Sequence, residues 1–231
     1  MYDKLFLCLA NSWKPPSGRC LAGREIVNGR IGAWVRPVSE RPTHEVSEED
    51  RLYKTGGRAA LLDRIRVQFL RPEPFDHQIE NHVFDGTHYF VLEGRATWLE
   101  VQACLDRYDA NFWSSDQSTQ HGCADKISAP LVQRLGSSLK LIQVARLTVC
   151  VAVEHNDWDH SDKLKVRGEF EYQGREYKLS LTDPELRTEY MARGDGKYVI
   201  ENPALCISIV EVWNGFAFRV IASAITPARC G

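Results

Sequence analysis

The 231-residue chain has no surplus of charge of either sign: 29 Lys and Arg stand against 31 Asp and Glu, for a formal net charge of −2. That removes the composition argument for a nucleic-acid binder, which rests on a plainly basic chain. No apolar run approaches the roughly 20 residues of a membrane-spanning helix. No N-terminal stretch has the apolar core of a secretory leader. Sixteen Gly and ten Pro are near average usage, which excludes collagen-like and low-complexity chains. The phosphate-loop pattern G-x-x-x-x-G-K-[ST], the dinucleotide fingerprint G-x-G-x-x-G, the nucleophile elbow G-x-S-x-G and the metalloprotease pattern H-E-x-x-H are all missing. Seven Cys, at 8, 20, 104, 123, 150, 206 and 230, are odd in number and include no C-x-x-C pair, so neither a disulfide framework nor a zinc ribbon is indicated. A cytoplasmic, reducing location is expected, with no metal and no cofactor.

The neutral average hides a gradient. Residues 1–42 carry Lys4, Lys14, Arg19, Arg24, Arg30, Arg36 and Arg41 against Asp3, Glu25 and Glu40, so the N-terminal end is basic and the remainder is acidic.

Hydrophobic pattern and turn chemistry predict a chain that is mainly β with minor α. Residues 4–10 read as a buried strand ending at the Asn11-Ser12-Trp13-Lys14-Pro15-Pro16-Ser17-Gly18 loop. The runs Arg19–Val27 and Ile31–Val38 flank Asn28-Gly29, a strong hairpin pattern. Arg64–Leu70 alternates apolar and polar residues until Pro72 and Pro74 stop it. Thr97-Trp98-Leu99-Glu100 fits a capping box, and the spacing of Val101, Leu105 and Tyr108 predicts a helix over 98–109. Ser114–Ser128 is polar and aperiodic, and reads as a loop.

The second half is more regular. Leu139–His155 reads as one long β-rich run, 165–172 and 176–181 alternate across a turn at Gly174, and Thr182-Asp183-Pro184-Glu185 opens a capped short helix. Runs at 205–213 and 216–225 meet at Asn214-Gly215. Three strands, a helix and two strands is the order of a five-stranded OB-type barrel, and other small barrels of PUA-like type fit it as well. The division expected is an N-terminal OB-like barrel over 1–95, a partly helical connector over 96–138 and a C-terminal OB-like barrel over 139–231.

Several phrases resemble the dual OB-containing domain family of bacterial proteins. In the first half they are Leu9-Ala10-Asn11-Ser12-x-Lys14, Gly18-Arg19-Cys20-x-Ala22-Gly23, Trp34-Val35-Arg36-Pro37-Val38-Ser39 and His77-Gln78-x-Glu80-Asn81. In the second they are Phe170-x-Tyr172-x-Gly174-x-x-Tyr177-x-Leu179-x-Leu181-Thr182-Asp183-Pro184, Leu205-Cys206-Ile207-Ser208-Ile209 and Arg219–Ile225. The chain departs from the family pattern at Trp13, Pro15-Pro16 and Arg219. The resemblance implies two OB-like barrels and a role in nucleic-acid recognition, in mobile-element or defence settings, and carries no catalytic residues.

Candidate contacts follow from residue chemistry. Asn11, Ser12, Lys14, Arg19 and Arg36 come from two adjacent strands and the loop between them; at one barrel mouth the cations would neutralise phosphates while Asn and Ser reach base or sugar edges. The alternative is that Asn11 and Ser12 bond their own backbone and Arg36 braces a strand end. Trp13 and Trp158 stand in polar loops as candidate stacking platforms. His77, Glu80 and Asn81, with Gln78 and His82, offer polar ligand contacts, an acid/base pair in His77 and Glu80, or capping groups for a crossing between barrels. His77, Glu80 and His82 also have metal-ligand chemistry, without ligand spacing. The cluster from His155 to His160 reads as a solvated hairpin loop, and Cys20 as a small buried side chain rather than a nucleophile. The function expected is non-catalytic binding of single-stranded or modified nucleic acid. The alternatives are a nucleotide- or nucleic-acid-processing enzyme using His77 and Glu80, and a protein-interaction module of a larger complex. A protein partner is compatible with the first as well; a membrane is not expected.

Overall fold

The computed structural model describes residues 1–14, 18–115, 117–156 and 161–230. The candidate Trp158, the tip of the 155–160 cluster and the Pro15-Pro16 insertion lie outside the described residues. Fourteen strands and four short α-helices are described, so the chain is mainly β, as the sequence predicts.

The first sheet contains β1 (Tyr2–Lys14), β2 (Gly18–Val27), β3 (Arg30–Val38), β4 (Asp63–Pro72), β5 (Asn81–Phe84) and β6 (Val91–Arg95). β1 pairs antiparallel with β2 along Phe6–Lys14 and with β4 along Tyr2–Leu7, and β3 pairs parallel with β5, so five strands close in the order β1-β2-β3-β5-β4-β1. That closed order, with its parallel β3–β5 pair, makes an OB-type barrel.

Closure requires one strand to coil across two neighbours, and β1 does so through a register shift between Cys8 and Ala10. Gly23 sits opposite that shift, where a Cβ would lie 1.9 Å from the Leu7 carbonyl oxygen. The β2–β3 turn is the predicted one: Asn28 and Gly29 both have positive φ, the requirement of a type I′ hairpin. β1 and β2 extend farther than the sequence suggests. Asn11 to Lys14 are strand rather than loop, because Leu21, Cys20, Arg19 and Gly18 pair with them in turn.

The second sheet runs β12-β9-β10-β11-β14-β13-β8, with β7 (Lys126–Ser128) beside β14. Its members are β8 (Leu139–Gln143), β9 (Arg146–Asn156), β10 (Ser161–Tyr172), β11 (Arg175–Leu181), β12 (Gly196–Glu201), β13 (Ala204–Ile209) and β14 (Phe216–Ile225). The β9-β10-β11 meander, helix α4 (Pro184–Arg193), β12 returning to β9 and the parallel β11–β14 pair reproduce OB-like order, with β13 and β8 added outside β14.

Three apolar clusters explain the arrangement. Phe6, Cys8, Leu21, Val35, Ile65, Val67 and Phe69 fill the barrel. Val149, Val166, Leu179, Leu205, Ile207 and Ile221 belong to the core of the second sheet. Between them lies a seam in which Leu7, Leu9, Ala22 and Trp34 meet Leu139, Leu141, Cys206, Ala222 and Ile225. β1 therefore has barrel core on one face and seam on the other, which is why its 5–10 segment is continuously apolar instead of alternating.

Several local expectations are corrected. The helix predicted over 98–109 is α1 (Trp98–Ala103) only, although the Thr97–Glu100 capping box is present as read. Asp106 ends it: its backbone N–H donates to the Leu141 carbonyl at 2.8 Å, and its carboxylate accepts from Arg24, the Trp34 indole and the Leu141 N–H. The 114–128 loop contains β7 and follows α2 (Ala110–Trp113); α3 (Ala129–Val132) comes directly after it. The 139–155 run breaks at Val144-Ala145 into β8 and β9, and β12 is an extra strand. The helix cap at α4 is Asp183, which accepts from the Glu185 and Leu186 N–H groups. No helix among the described residues is long and apolar enough to cross a membrane.

The α2–β7 segment is held by Arg219, the bulkiest of the fully buried side chains. Its guanidinium donates to the carbonyls of Ala124, Phe112 (2.7 Å) and Ser114 (3.0 Å), and lies 5.5 Å from the Trp113 ring centroid. Burial pushes its pKa down to about 10, so the cation persists at neutral pH. Arg219→Met leaves three carbonyls short of a donor, at about 1–3 kcal/mol for each buried group unpaired. The expected loss is about 3 kcal/mol or more in urea unfolding, with faster protease cleavage between residues 110 and 125. A midpoint equal to wild type would contradict this account.

Candidate functional site

The loops that carry ligands in OB barrels join strands 1–2 and 4–5. In the first barrel these are the β1–β2 connection, outside the described residues, and residues 73–80; the end of β1 that leads into the former, and His77 of the latter, touch the second sheet. The Trp13 N–H donates to the Thr182 carbonyl at 3.1 Å, Lys14 Nζ lies 2.8 Å from Glu211 Oε1, and His77 Nε2 is 3.2 Å from the Ile209 carbonyl.

The predicted residues fall into two groups that share Arg36. Arg36, His77, Glu80 and Asn81 are buried, with 3%, 2%, 4% and 1% of their surface exposed. Arg36 pairs with Glu80 at 3.1 Å and donates to Ser138 Oγ at 2.7 Å, and the Ser138 hydroxyl in turn donates to Glu80. Arg36 also reaches Asn81 Oδ1 at 3.4 Å, and Asn81 donates to Gln78 at 3.4 Å. This network spans β3, the 73–80 loop and the residue before β8, so it ties the barrel to the second half. Arg36 is therefore set in the interior rather than on an open surface, and the His77 and Glu80 side chains are buried beside it. Of the capping contacts expected for His77, Glu80 and Asn81, the His77 ring reaches a backbone carbonyl, that of Ile209, while the Glu80 and Asn81 side chains bond other side chains.

The second group surrounds a cavity. Ser12, Trp13, Lys14, Cys20, Arg36 and Gln78 from the first half face Thr182, Ser208, Val210, Glu211 and Val220 from the second, around about 330 Å³. Pro37, Val38 and His44 complete the lining. Ligand cavities commonly span about 300–1,000 Å³. Ser12 and Ser208 are buried, while Trp13 is 43% exposed. Across Trp13 an open cleft of about 340 Å³ is lined by Trp13, Arg19, Pro184, Arg187, Thr188 and Met191. Trp13 thus borders both spaces, with the Arg19 guanidinium carbon 5.3 Å from its ring centroid. Arg19 also pairs with Glu48 at 3.3 Å, and Asn11 lines a smaller depression with Arg51, Asp183 and Arg229.

Sequence reasoning missed Gln78 as a lining residue, Ser208, Glu211 and the α4 residues Arg187, Thr188 and Met191. Their membership depends on pairing across the seam, which leaves no local pattern; Thr182 to Glu185 were legible only as a helix start. Trp213 is also exposed, at 61%. Among the described residues no group of three or more His, Cys, Asp or Glu is placed to hold a metal ion. His77 Nε2 is engaged by the Ile209 carbonyl while its Nδ1 has no partner among the described residues, and His82 Nδ1 lies 2.6 Å from the Tyr2 hydroxyl. A larger depression of about 730 Å³ lies elsewhere, where Glu169, Glu171, Glu176 and Glu201 outnumber Arg146 and Lys178.

A closed β1-β2-β3-β5-β4 barrel coupled to a second sheet of OB-like order defines an OB-type binding module. Residues 4–224 match the dual OB-containing domain, and the chain belongs to that family. No curated protein and no solved structure matches the chain.

Burial pushes the His77 imidazole below its ordinary value near 6.5; Arg36 adds to the depression, while the Ile209 hydrogen bond, Glu80 and Asp76 oppose it. Burial acts on His82 in the same direction. The unfolded chain therefore binds more protons than the folded one as pH falls through about 6.5, and stability present above that pH is lost below it. Tm is expected to fall between pH 7.5 and 5.5, with a smaller fall in His77→Gln. A Tm that is flat or rises on acidification would refute the assignment of neutral, buried histidines.

Proposed function

We propose that this chain is a non-catalytic nucleic-acid-binding module that takes single-stranded or base-modified segments along the Trp13 edge, where the first OB unit (1–95) meets the second (139–231) across the 96–138 connector. The observation that carries this reading is the exposed Trp13 indole between a cavity and a cleft, with Lys14, Arg19 and Arg187 around it. An aromatic face accepts any unstacked base, and neighbouring cations neutralise phosphates. Membership of the dual OB-containing domain family supports the same reading, since OB barrels bind oligonucleotides through these loops.

Affinity is modest in this scheme. Lys14 is occupied by Glu211 and Arg19 by Glu48, so a strand must compete with carboxylates for both cations. The buried His77–Glu80 pair gives no comparable support to an enzymatic reading.

Fluorescence anisotropy of labelled single- and double-stranded DNA and RNA at two salt concentrations tests this. Single strands are expected to bind more tightly than duplexes. Trp13→Ala should weaken single-strand binding at least about fivefold, from a stacking contribution of about 1–3 kcal/mol per base. Arg187→Ala should reduce the salt slope by about 0.7, the contribution of one phosphate contact on a single strand. Glu211→Gln frees Lys14 and should tighten binding at low salt. Folded protein that ignores all four nucleic acids, and instead co-purifies with another chain, would replace this reading with that of a protein-interaction module.

A further inference from the structure

We infer that the junction cavity receives a single neutral nucleobase, with Trp13 at its mouth and Arg36, Ser12, Gln78 and Ser208 reading the base edge. This deepens the binding function proposed above and rests on it only for the source of the base.

Three observations lead to a base rather than a phosphate or a lipid chain. The first is charge. Lys14 and Arg36 line the cavity, yet Lys14 is paired with Glu211 and Arg36 with Glu80, so the space carries no free positive charge to attract an anion. The second is an unsatisfied donor. Arg36 is 97% buried by its 3% exposure, and its Nε is buried without a hydrogen-bond partner among the described residues. Leaving such a group unpaired costs about 1–3 kcal/mol or more for a charged donor; the Nε itself has no accessible surface, so an acceptor such as a ring nitrogen or exocyclic carbonyl satisfies it once the guanidinium turns toward the cavity that Arg36 lines. The third is the composition of the walls. Pro37, Val38, Val210 and Val220 give flat apolar contact, whereas the Ser12 and Ser208 hydroxyls and the Gln78 amide can each donate or accept. An apolar slot with a few polar groups at its edge suits a heteroaromatic ring and is wasted on an alkyl chain.

About 330 Å³ admits one nucleoside-sized group and leaves no room for a second stacked base. The base must therefore be unstacked: the end of a strand, one rotated out of its stack, or a free nucleoside. Rotation out of a stack costs a few kcal/mol, least for a base that is already unpaired or modified.

Cys20 supplies a reporter, because it lines the cavity and is half-buried, while Cys123 is half-buried at the remote carboxylate-edged depression. The experiment labels the full-length protein with N-ethylmaleimide and follows Cys20 and Cys123 separately by peptide mass spectrometry. Adenosine, guanosine, cytidine, thymidine and single-stranded oligonucleotides of mixed sequence are the probes, and strand binding is measured in parallel by anisotropy. At least one nucleoside is expected to slow Cys20 labelling threefold or more with no change at Cys123, and oligonucleotides are expected to do the same. Cys20→Trp, which fills the cavity from a half-exposed position, should remove the nucleoside-induced rise in Tm. This variant spares the buried Arg36 network, whose disruption would confuse loss of binding with loss of fold.

Strands that bind while neither strands nor nucleosides protect Cys20 would overturn the cavity assignment and leave the binding function standing. Protection by nucleosides without any strand binding would uphold the cavity, assign it to a free nucleoside and overturn the strand-binding reading. Absence of both protection and strand binding would overturn both.

Discussion

The molecule depends on β1 being buried on both faces. Phe6 and Cys8 enter the barrel while Leu7 and Leu9 enter the seam, so the strand that closes the barrel is also the surface on which the second sheet rests. Full burial of a Leu side chain contributes about 1.5–3 kcal/mol. Two such residues on the outward face of a barrel strand already give the seam the energetics of a core. Ser223 reinforces it by donating to the Leu9 carbonyl across the seam at 2.5 Å. The two halves share packing that neither retains alone, and the angle between them is fixed by side-chain fit rather than by a linker.

Polar groups at the edge of that seam refine the fit. A buried ion pair such as Arg36–Glu80 adds little net stability, because desolvation of both charges offsets their attraction, whereas removing one partner costs about 3–5 kcal/mol. Its effect is to penalise any docking in which Arg36 loses Glu80 and Ser138. The same logic explains where the network stops. Arg36 Nη1 and Nη2 are satisfied by protein groups, and Arg36 Nε is not, on a residue that lines the cavity. His77 Nδ1 and Glu80 Oε2 in the same cluster are likewise buried without a partner among the described residues, so the network is incompletely satisfied at its core, and Arg36 is the member of it that also lines the cavity.

What the sequence revealed and what it hid follow one rule, the range of the interaction. The Asn28-Gly29 turn, the Thr97–Glu100 box and the start of α4 were legible because each is decided within about four residues. The end of α1 was not, because Asp106 is drawn off by Arg24, Trp34 and Leu141, between 35 and 82 residues away in sequence. The candidate site shows the same split. Trp13 was recognisable from its polar neighbours. The burial of Arg36 was not, since a basic residue before Pro37 carries no mark of a carboxylate 44 positions later, and Ser208 and Glu211 join the site only through the seam. The family phrases carried more than the local patterns, because their combination over residues 4–224 encodes the long-range fold that no single segment shows.

Turning the ligand loops of one barrel against a second sheet changes what an OB-type surface can select. An open groove binds by stacking and charge, and both are tolerant of sequence because every base has a π-face and every nucleotide a phosphate. A recessed slot with a buried donor in its wall would select differently. A ligand that offers an acceptor to Arg36 satisfies a group already stripped of water, and one that lacks it leaves that group unpaired at a cost no neighbouring contact repays. Discrimination therefore grows with burial. In the proposed binding scheme the carboxylates on Lys14 and Arg19 would lower general affinity for strands and leave the cavity a larger share of the binding energy. Under that proposal, weak attraction to the backbone combined with a demanding pocket would favour the identity or modification of one base over the length of the strand that carries it.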